Sequence, residues 1–327
     1  MENQSNCAVI LAAGEGKRMK SRLPKVLCQV LFKPMVDWVI DAAAETVTDV
    51  CLVVGHGGDL VRKHTAGRCC TVEQKERLGT GHAVMQAADF LKAHAGGNTL
   101  VLCGDAPLMD GDTLTAALKA HTAAGNGVTV ISARLEHPFG YGRIVRSAAG
   151  DLAAIVEEKD ADAGQKAITE VNSGAYWFRT DDLLEVLPLL RNQNVQGEYY
   201  LTDAVGLLLK RGKRAGAFAA DNPDVVLGAN DRAGLMQLNQ RARMQVIGRL
   251  LVDGVDIPCA DGILIGPDVK IGTDTTILPS TLLSGKTVIG RGCRIGPAAR
   301  LENCRVADGM QLSCCDLAEE NLEPMDR

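Results

Sequence analysis

Leu11-Ala12-Ala13-Gly14-Glu15-Gly16-Lys17-Arg18-Met19 follows the apolar run Cys7-Ala8-Val9-Ile10 and precedes Leu23-Pro24-Lys25-Val26-Leu27. The stretch reads as a short buried strand running into a glycine-broken, cationic loop. Gly14 and Gly16 permit positive φ and a close backbone approach to a ligand, and successive N–H groups in such a turn point inward as an anion nest. Phosphate is the ligand such a loop suits. A Walker A loop is excluded, because Arg18 follows Lys17 where Ser or Thr is needed. A Rossmann fingerprint is excluded as well, because Met19 stands where the third glycine belongs.

Outward from the loop, helix-like and strand-like segments alternate. A helix is expected over 34–45, led by Pro34, then strands over 51–54 and 71–74. A helix over 81–94, a strand over 100–103, a helix over 113–124 and a strand over 128–133 follow. Such alternation predicts an α/β fold with a largely parallel sheet, whose ligands sit at the carboxyl ends of the strands. The loop 12–18, Gln74 and Gly104-Asp105 all fall at such ends. From 140 to 178 the pattern changes to short strands at 143–146, 152–157 and 175–178, read as a lid or second half around a substrate. Helices over 181–190 and 202–211 come next, and a longer one over 231–252 links two domains.

Beyond the linker the chain becomes periodic at six, with Ile265-Gly266, Ile271-Gly272 and Ile277-Leu278 resuming at Ile289-Gly290 and Ile295-Gly296. An aliphatic residue every six, followed by a small one, fits a parallel β-helix whose aliphatic side chains stack inside successive turns. The register fades after Asp308. The expected division is therefore 1–230, a linker helix 231–252, a short hexapeptide β-helix 253–312 and a capping or frayed tail 313–327.

Composition limits the function. The 327 residues allow two domains, at about 100–200 residues each. A formal charge of -5 argues against a general nucleic-acid or membrane-surface binder. Met1-Glu2-Asn3-Gln4-Ser5-Asn6 lacks a signal-peptide pattern, and no apolar run reaches the roughly 18 residues of a membrane span, so a cytoplasmic protein is expected. Eleven cysteines without a CxxC pair read as reduced thiols, neither a disulfide framework nor a zinc site.

The ordered set of the opening loop, Lys25, Gln74, Leu78-Gly79-Thr80-Gly81-His82-Ala83, Gly104-Asp105, Tyr141-Gly142-Arg143-Ile144, Glu157, Asn172 and the hexapeptide repeat carries a resemblance. Over roughly residues 7–300 the chain resembles the bacterial bifunctional N-acetylglucosamine-1-phosphate uridylyltransferase/glucosamine-1-phosphate acetyltransferases. The resemblance implies a Rossmann-like nucleotidyltransferase domain with a mixed, mostly parallel sheet, followed by a left-handed β-helix. It also implies a reaction that supplies a peptidoglycan precursor: the oxygen of the sugar 1-phosphate attacks the α-phosphorus of UTP, giving UDP-N-acetylglucosamine and pyrophosphate. Two polyanions must then be brought together, which calls for positioning, cations and Mg²⁺.

By resemblance, Arg18 neutralises the UTP phosphates, Lys25 the reacting phosphates, and Leu11, Ala12, Ala13, Gly14 and Gly16 cradle the nucleotide. Alone, the two cations would read as solvated. Asp105 and Asn230 match the Mg²⁺-binding positions, a hard-oxygen pair suited to that ion; their plain alternatives are a turn aspartate and a helix cap. Gln74 and Gly79 match the positions that read the uracil edge, an amide being able to donate and accept. Thr80, Gly142, Glu157, Asn172 and Tyr200 match contacts to the sugar phosphate and the acetamide. His82 reads as structural, since an anionic sugar phosphate needs no general base.

Departures from the family pattern are Lys17, where Thr is usual, and Cys103, where a large residue is usual two before the metal aspartate. The former adds charge near the triphosphate and the latter shrinks one wall of the sugar pocket. Family acetyl transfer uses later coils and a C-terminal tail, so ending at Arg327 sets the expectation of no acetyltransferase activity. Trimers formed through the β-helix are the assembly the resemblance implies. Two other readings stay open: transfer with another nucleotide or hexose-1-phosphate, and a UDP-sugar-binding regulatory subunit without turnover.

Overall fold

A computed structural model describes residues 6–323. The reading of the extreme N-terminus, over 1–5, and the last residues of the expected tail, 324–327, lie outside the described residues. The chain divides into two compact units. One takes the described residues up to Cys28 together with Met35–Arg232, and the other takes Gln29–Pro34 and the described residues from Ala233 onward.

Nine strands build the sheet of the first unit: β1 Cys7–Ala12, β2 Asp49–Val54, β3 Cys70–Glu73, β4 Asn98–Cys103, β5 Val128–Arg134, β6 Arg143–Arg146, β7 Leu152–Val156, β8 Glu170–Arg179 and β9 Ala215–Ala219. The main order is β9-β5-β8-β4-β1-β2-β3, parallel throughout except for β8, which runs antiparallel to both neighbours. Both faces of β1 are buried, Cys7 and Val9 in one core and Ala8, Ile10 and Ala12 in the other. A strand covered on both faces reads as one continuous apolar run, which is why it is legible in the sequence.

Residues 175–178, read as part of a lid or second half around a substrate, instead lie towards the end of β8 in the middle of the main sheet. Val171, Ala175 and Trp177 face one core while Tyr176 and Phe178 face the other, and the Trp177 indole donates to Leu114 O (3.0 Å). Only β6 and β7 stand off the main order, as a hairpin attached through the pairing of Val171 with Arg143. The helix expected over 81–94 is two helices, Thr80–Gln86 and Ala88–Ala93, meeting at Ala87. That expected over 181–190 is Thr180–Val186 followed by a 3₁₀ turn, Leu187–Leu189, carrying a proline. β9, Ala-Gly-Ala-Phe-Ala, was not foreseen, because it lacks the branched residues that mark strands.

The helix Arg232–Val252, in the second unit from Ala233 onward, buries Leu235, Leu238, Ala242, Val246, Ile247 and Leu250. Its Arg243 donates to Ile263 O (2.7 Å) and to Ala260 O. Pro34 belongs to a small hairpin here, Gln29–Val30 with Lys33–Pro34, rather than opening a helix. Three parallel ladders follow, beginning at Leu264–Ile265, Lys270–Ile271 and Thr276–Ile277, and together they make a β-helix. Ile265, Ile277, Leu283, Ile289, Ile295 and Leu301 are buried inside it, as the six-residue period requires.

A second inward position, two residues before each aliphatic one, holds Ile263, Thr275, Thr281, Thr287, Cys293 and Ala299. Buried hydroxyls there bond to backbone, Thr281 to Leu278 O and Thr287 to Ser284 O (both 2.7 Å).

The tail boundary expected at 313 is corrected: Asp316–Ala318 pairs with Arg300–Glu302, and Asn321–Leu322 with Arg305–Val306. The period is lost while the ladder continues, because the coils shorten. Leu264 pairs with Leu282 and Leu282 with Arg300, steps of eighteen residues, whereas Arg300 pairs with Asp316, a step of sixteen. Among the described residues no helix is long and apolar enough to cross a membrane.

Candidate active site

From β1 the chain goes to β2 and β3 on one side, then crosses to β4 on the other, so the sheet's topological switch point lies between β1 and β4. Ligands of open α/β sheets bind at the strand ends beside such a point. A cavity of about 500 Å³ opens there, walled by the loop from Leu11 to Glu15, Lys25, Gln74, Gly79, Thr80 and Asp105. A larger hollow of about 700 Å³ lies in the second unit, between Arg249 and the ladder of Lys270 and Arg305, and contains none of the sequence-predicted site residues.

The two loop glycines differ. Gly16 is left-handed, with φ 62° and ψ 34°, and opens the 3₁₀ turn Lys17–Met19. Gly14 does not use the left-handed freedom that a glycine permits, and a Cβ there would have nothing within 4 Å. A Cβ on Gly16 would lie 2.6 Å from Lys25 Cβ, so the missing side chain lets Lys25 lie against the loop. Pro24 sets up the turn that carries Lys25, with Leu27 N donating to Pro24 O (2.9 Å) and Cys28 N to Lys25 O (3.0 Å).

Lys25 Nζ forms an ion pair with Asp105 and donates to Asn230 Oδ1 (2.8 Å). Asp105 is placed by Gly104, whose N–H donates to Leu11 O (2.9 Å), and Ala229 N donates back to Asp105 O (3.4 Å). Three segments far apart in sequence thus converge on one cationic point. A carboxylate and an amide oxygen that already share a cation are a donor set fit for a small hard ion. Among the described residues no group of three or more His, Cys, Asp or Glu could hold a metal by itself. Sites of the Mg²⁺ type need few protein ligands, since phosphates and water complete them.

Arg18 sits exposed on the 3₁₀ turn and is not part of the cavity wall. Arg77, not picked out from the sequence, does line the cavity, facing Glu15 at 3.4 Å. Lys17 meets the same Glu15 carboxylate at 3.3 Å.

Gln74 is buried where β3 ends, its N–H donating to Val54 O (2.8 Å). Its amide nitrogen reaches Gly79 O and His82 Nδ1, both at 3.1 Å. With both hydrogens engaged, the amide is left to act as an acceptor toward a ligand. His82 therefore orients Gln74, an indirect role that no spacing rule reveals. Thr80 Oγ1 accepts from Leu201 N (3.1 Å), and Gly81 N donates to Tyr199 O (2.8 Å), which lays the segment around Tyr200 along the Gly79–Thr80 turn.

Gly142, Glu157 and Asn172 form a second group. A Cβ on Gly142 would lie 3.5 Å from Asn172 Cβ and 3.6 Å from Glu157 Oε2, and Asn172 N donates to Gly142 O (2.9 Å). Burial raises the Glu157 carboxyl above its ordinary value, against a hydrogen bond from Thr202 Oγ1 (3.1 Å) that acts the other way. Tyr200 Oη accepts from Gln196 Nε2 (2.7 Å). Cys103 fills the space over Gly174, where a Cβ would be 2.9 Å from its sulfur, and burial pushes its thiol up to about 12.

Arg143, fully buried, holds this loop from behind through Tyr141 O and Glu158 (2.8 Å). Glu158 also accepts from Gly140 N (3.2 Å). The arginine was legible only as part of the Tyr141-Gly142-Arg143 motif.

Residues 8–175 match the MobA-like NTP transferase domain. A protein of Caldanaerobacter subterraneus is 43% identical over 303 residues, covering 92% of this chain and 66% of its own length. One of Acetivibrio thermocellus is 42% identical over 317 residues, covering 97% and 68%, and one of Pelobacter propionicus is 41% identical over 324 residues, covering 98% and 70%. All three bear the name bifunctional protein GlmU, and the chain spans about two thirds of the length of these curated relatives.

Proposed function

The chain belongs to the MobA-like NTP transferase family and to the bifunctional GlmU proteins, and from that membership we propose that it is a uridylyltransferase. Its substrates are UTP and N-acetylglucosamine-1-phosphate, and its products UDP-N-acetylglucosamine and pyrophosphate. The observation that carries the proposal is the meeting of Lys25, Asp105 and Asn230 at the edge of the cavity beside the switch point.

In the reaction a sugar-phosphate oxygen bonds to the α-phosphorus as the bond to the bridging oxygen breaks and pyrophosphate departs. No proton has to be removed from the nucleophile, so the carboxylates that line the cavity, Glu15, Asp105 and Glu198, are not called on as bases. The Gly14–Gly16 backbone cradles the triphosphate, while Lys25, its stem held against Gly16, neutralises the reacting phosphates. Arg18 turns in from its exposed position to the outer phosphates. Gln74, with its hydrogens committed to Gly79 and His82, accepts the imide N–H of uracil. Gly142, Glu157, Asn172 and Tyr200 receive the sugar hydroxyls and acetamide, and Thr80 the sugar phosphate. Asp105 and Asn230 would hold Mg²⁺, which when bound draws charge from the phosphoryl oxygens.

A nucleoside-triphosphate substrate fits a cytoplasmic enzyme. Assembly as trimers through the β-helix is part of the proposal, checked by light scattering of the whole chain. The activity is tested by pyrophosphate release across a matrix of nucleotides and sugar phosphates, with Mg²⁺ present or chelated. Mg²⁺-dependent release with UTP and N-acetylglucosamine-1-phosphate supports the proposal; no release with any pair overturns it.

A further inference from the structure

Cysteines crowd the amino-terminal half of the sheet, away from the cavity: Cys7 opens β1, Cys51 lies in β2, Cys69 precedes β3 and Cys70 opens it. The parallel register sets Cys51 directly opposite Cys70. Side chains of register partners on neighbouring strands leave the sheet on the same face, with the strands about 4.8 Å apart. That spacing falls within the roughly 4.4–6.8 Å between Cα atoms that a disulfide requires.

The other two thiols are set aside by the same geometry. Cys69, one residue earlier, packs against the opposite core from the one that holds Cys51. Cys7 pairs with Asp49, two residues off the Cys51 rung, and its sulfur meets Thr99 Oγ1 at 3.5 Å. Access within the remaining pair is one-sided, since Cys51 is fully buried and Cys70 is exposed on the edge strand.

We propose that Cys51 and Cys70 form a peroxide-oxidised modification site that closes to a cross-strand disulfide. The Cys70 thiol gives up its proton and its sulfur attacks the peroxide O–O bond, giving Cys70 sulfenic acid, while the hydroxide or alkoxide that leaves takes that proton and departs as water or an alcohol. The Cys51 sulfur then attacks the Cys70 sulfur, an S–S bond forms, and the hydroxyl leaves as water with the Cys51 proton. Two electrons pass from the thiols to the peroxide, and an external thiol returns them. Burial and the neighbouring thiols raise Cys51 above the usual thiol range, which leaves the exposed partner to take the first step. Three rungs on, Val54 pairs with Glu73 and Gln74 follows, so the bond forms in the ladder that delivers Gln74 to the cavity.

The reduced full-length chain is treated with hydrogen peroxide, its remaining thiols are blocked in denaturant, and the digest is read by mass spectrometry. Peptides joined through Cys51 and Cys70, two hydrogens lighter and released by dithiothreitol, are expected. Because the partner thiol traps the sulfenic acid, sulfinic Cys70 should stay below about a tenth of the linked form. Cys70→Ser, at an exposed position, should abolish the linked peptide, and Cys69→Ser should leave it unchanged. Recovery of Cys70 joined to Cys69 or Cys7, or chiefly as sulfinic acid, overturns the proposal. So does Cys70 remaining free when the exposed Cys259 and Cys314 have oxidised.

Discussion

Gly14 and Gly16 share one loop and should respond differently to an added methyl group. At Gly16 φ is +62° and a Cβ would come within 2.6 Å of Lys25 Cβ. A left-handed alanine costs about 1–2 kcal/mol. The contact is relieved only by moving the Lys25 stem, whose turn is pinned by Pro24 O, and that movement draws the ammonium away from Asp105 and Asn230. Gly16→Ala should therefore lose about 2 kcal/mol, a fall in Tm of roughly 4–8 °C for a unit of this size. Displacement of Lys25 on the order of 1 Å should cut kcat about a hundredfold.

Gly14 is not left-handed and has open space around its Cβ position, so in the free protein Gly14→Ala should be neutral or stabilising by about 0.4–1 kcal/mol. Its effect should appear as a raised KM for UTP, because the methyl projects into room the triphosphate needs. Thermal denaturation with and without UTP, beside steady-state pyrophosphate release, separates the two variants. A Gly16→Ala protein that melts and turns over like the parent would refute the packing argument. A Gly14→Ala protein with normal UTP affinity would remove this loop from the nucleotide site.

Asp105→Asn should lose about a hundredfold or more in pyrophosphate release while keeping a cooperative melt; retained turnover refutes the assignment of the acid. His82→Phe leaves a hydrogen of the buried Gln74 amide without its acceptor, a loss of about 1–3 kcal/mol, so KM for UTP should rise about tenfold with kcat less affected. An unchanged KM would show that Gln74 does not depend on His82. Glu157 is raised above its ordinary value by burial, which means the fold holds that proton more tightly than the unfolded chain does. Its contribution to stability is complete below the ordinary carboxylate value of about 4.3 and is lost as pH rises through the folded value. Glu157→Gln should thus raise Tm near neutral pH, and the gain should vanish on acidification; an equal gain at both ends contradicts the burial argument.

What could be read from the sequence was what repeats or what lies next to itself in the chain. β1 and its loop were legible because an apolar run and two glycines are contiguous, and the β-helix because Ile265, Ile271, Ile277, Ile289 and Ile295 keep one interval. The inward threonines keep the same interval, two positions earlier, and were missed because a hydroxyl does not look like a core residue until its backbone acceptor is known. β8 escaped for a different reason: nothing local says that a strand will be inserted antiparallel between β4 and β5, since that depends on which gap the rest of the sheet leaves.

The candidate site lies at the far end of this scale. Lys25, Asp105 and Asn230 are individually ordinary, and only the crossover from β3 to β4 brings the second beside the first. His82 and Arg143 act one step further back, through the amide of Gln74 and the carbonyl of Tyr141. A residue that works by holding another has no chemistry of its own for spacing to reveal. The same reasoning explains the misplaced end of the β-helix. Parallel pairing needs a neighbouring strand but not a fixed number of residues per coil, so the ladder outlasts the period once the steps between rungs shorten.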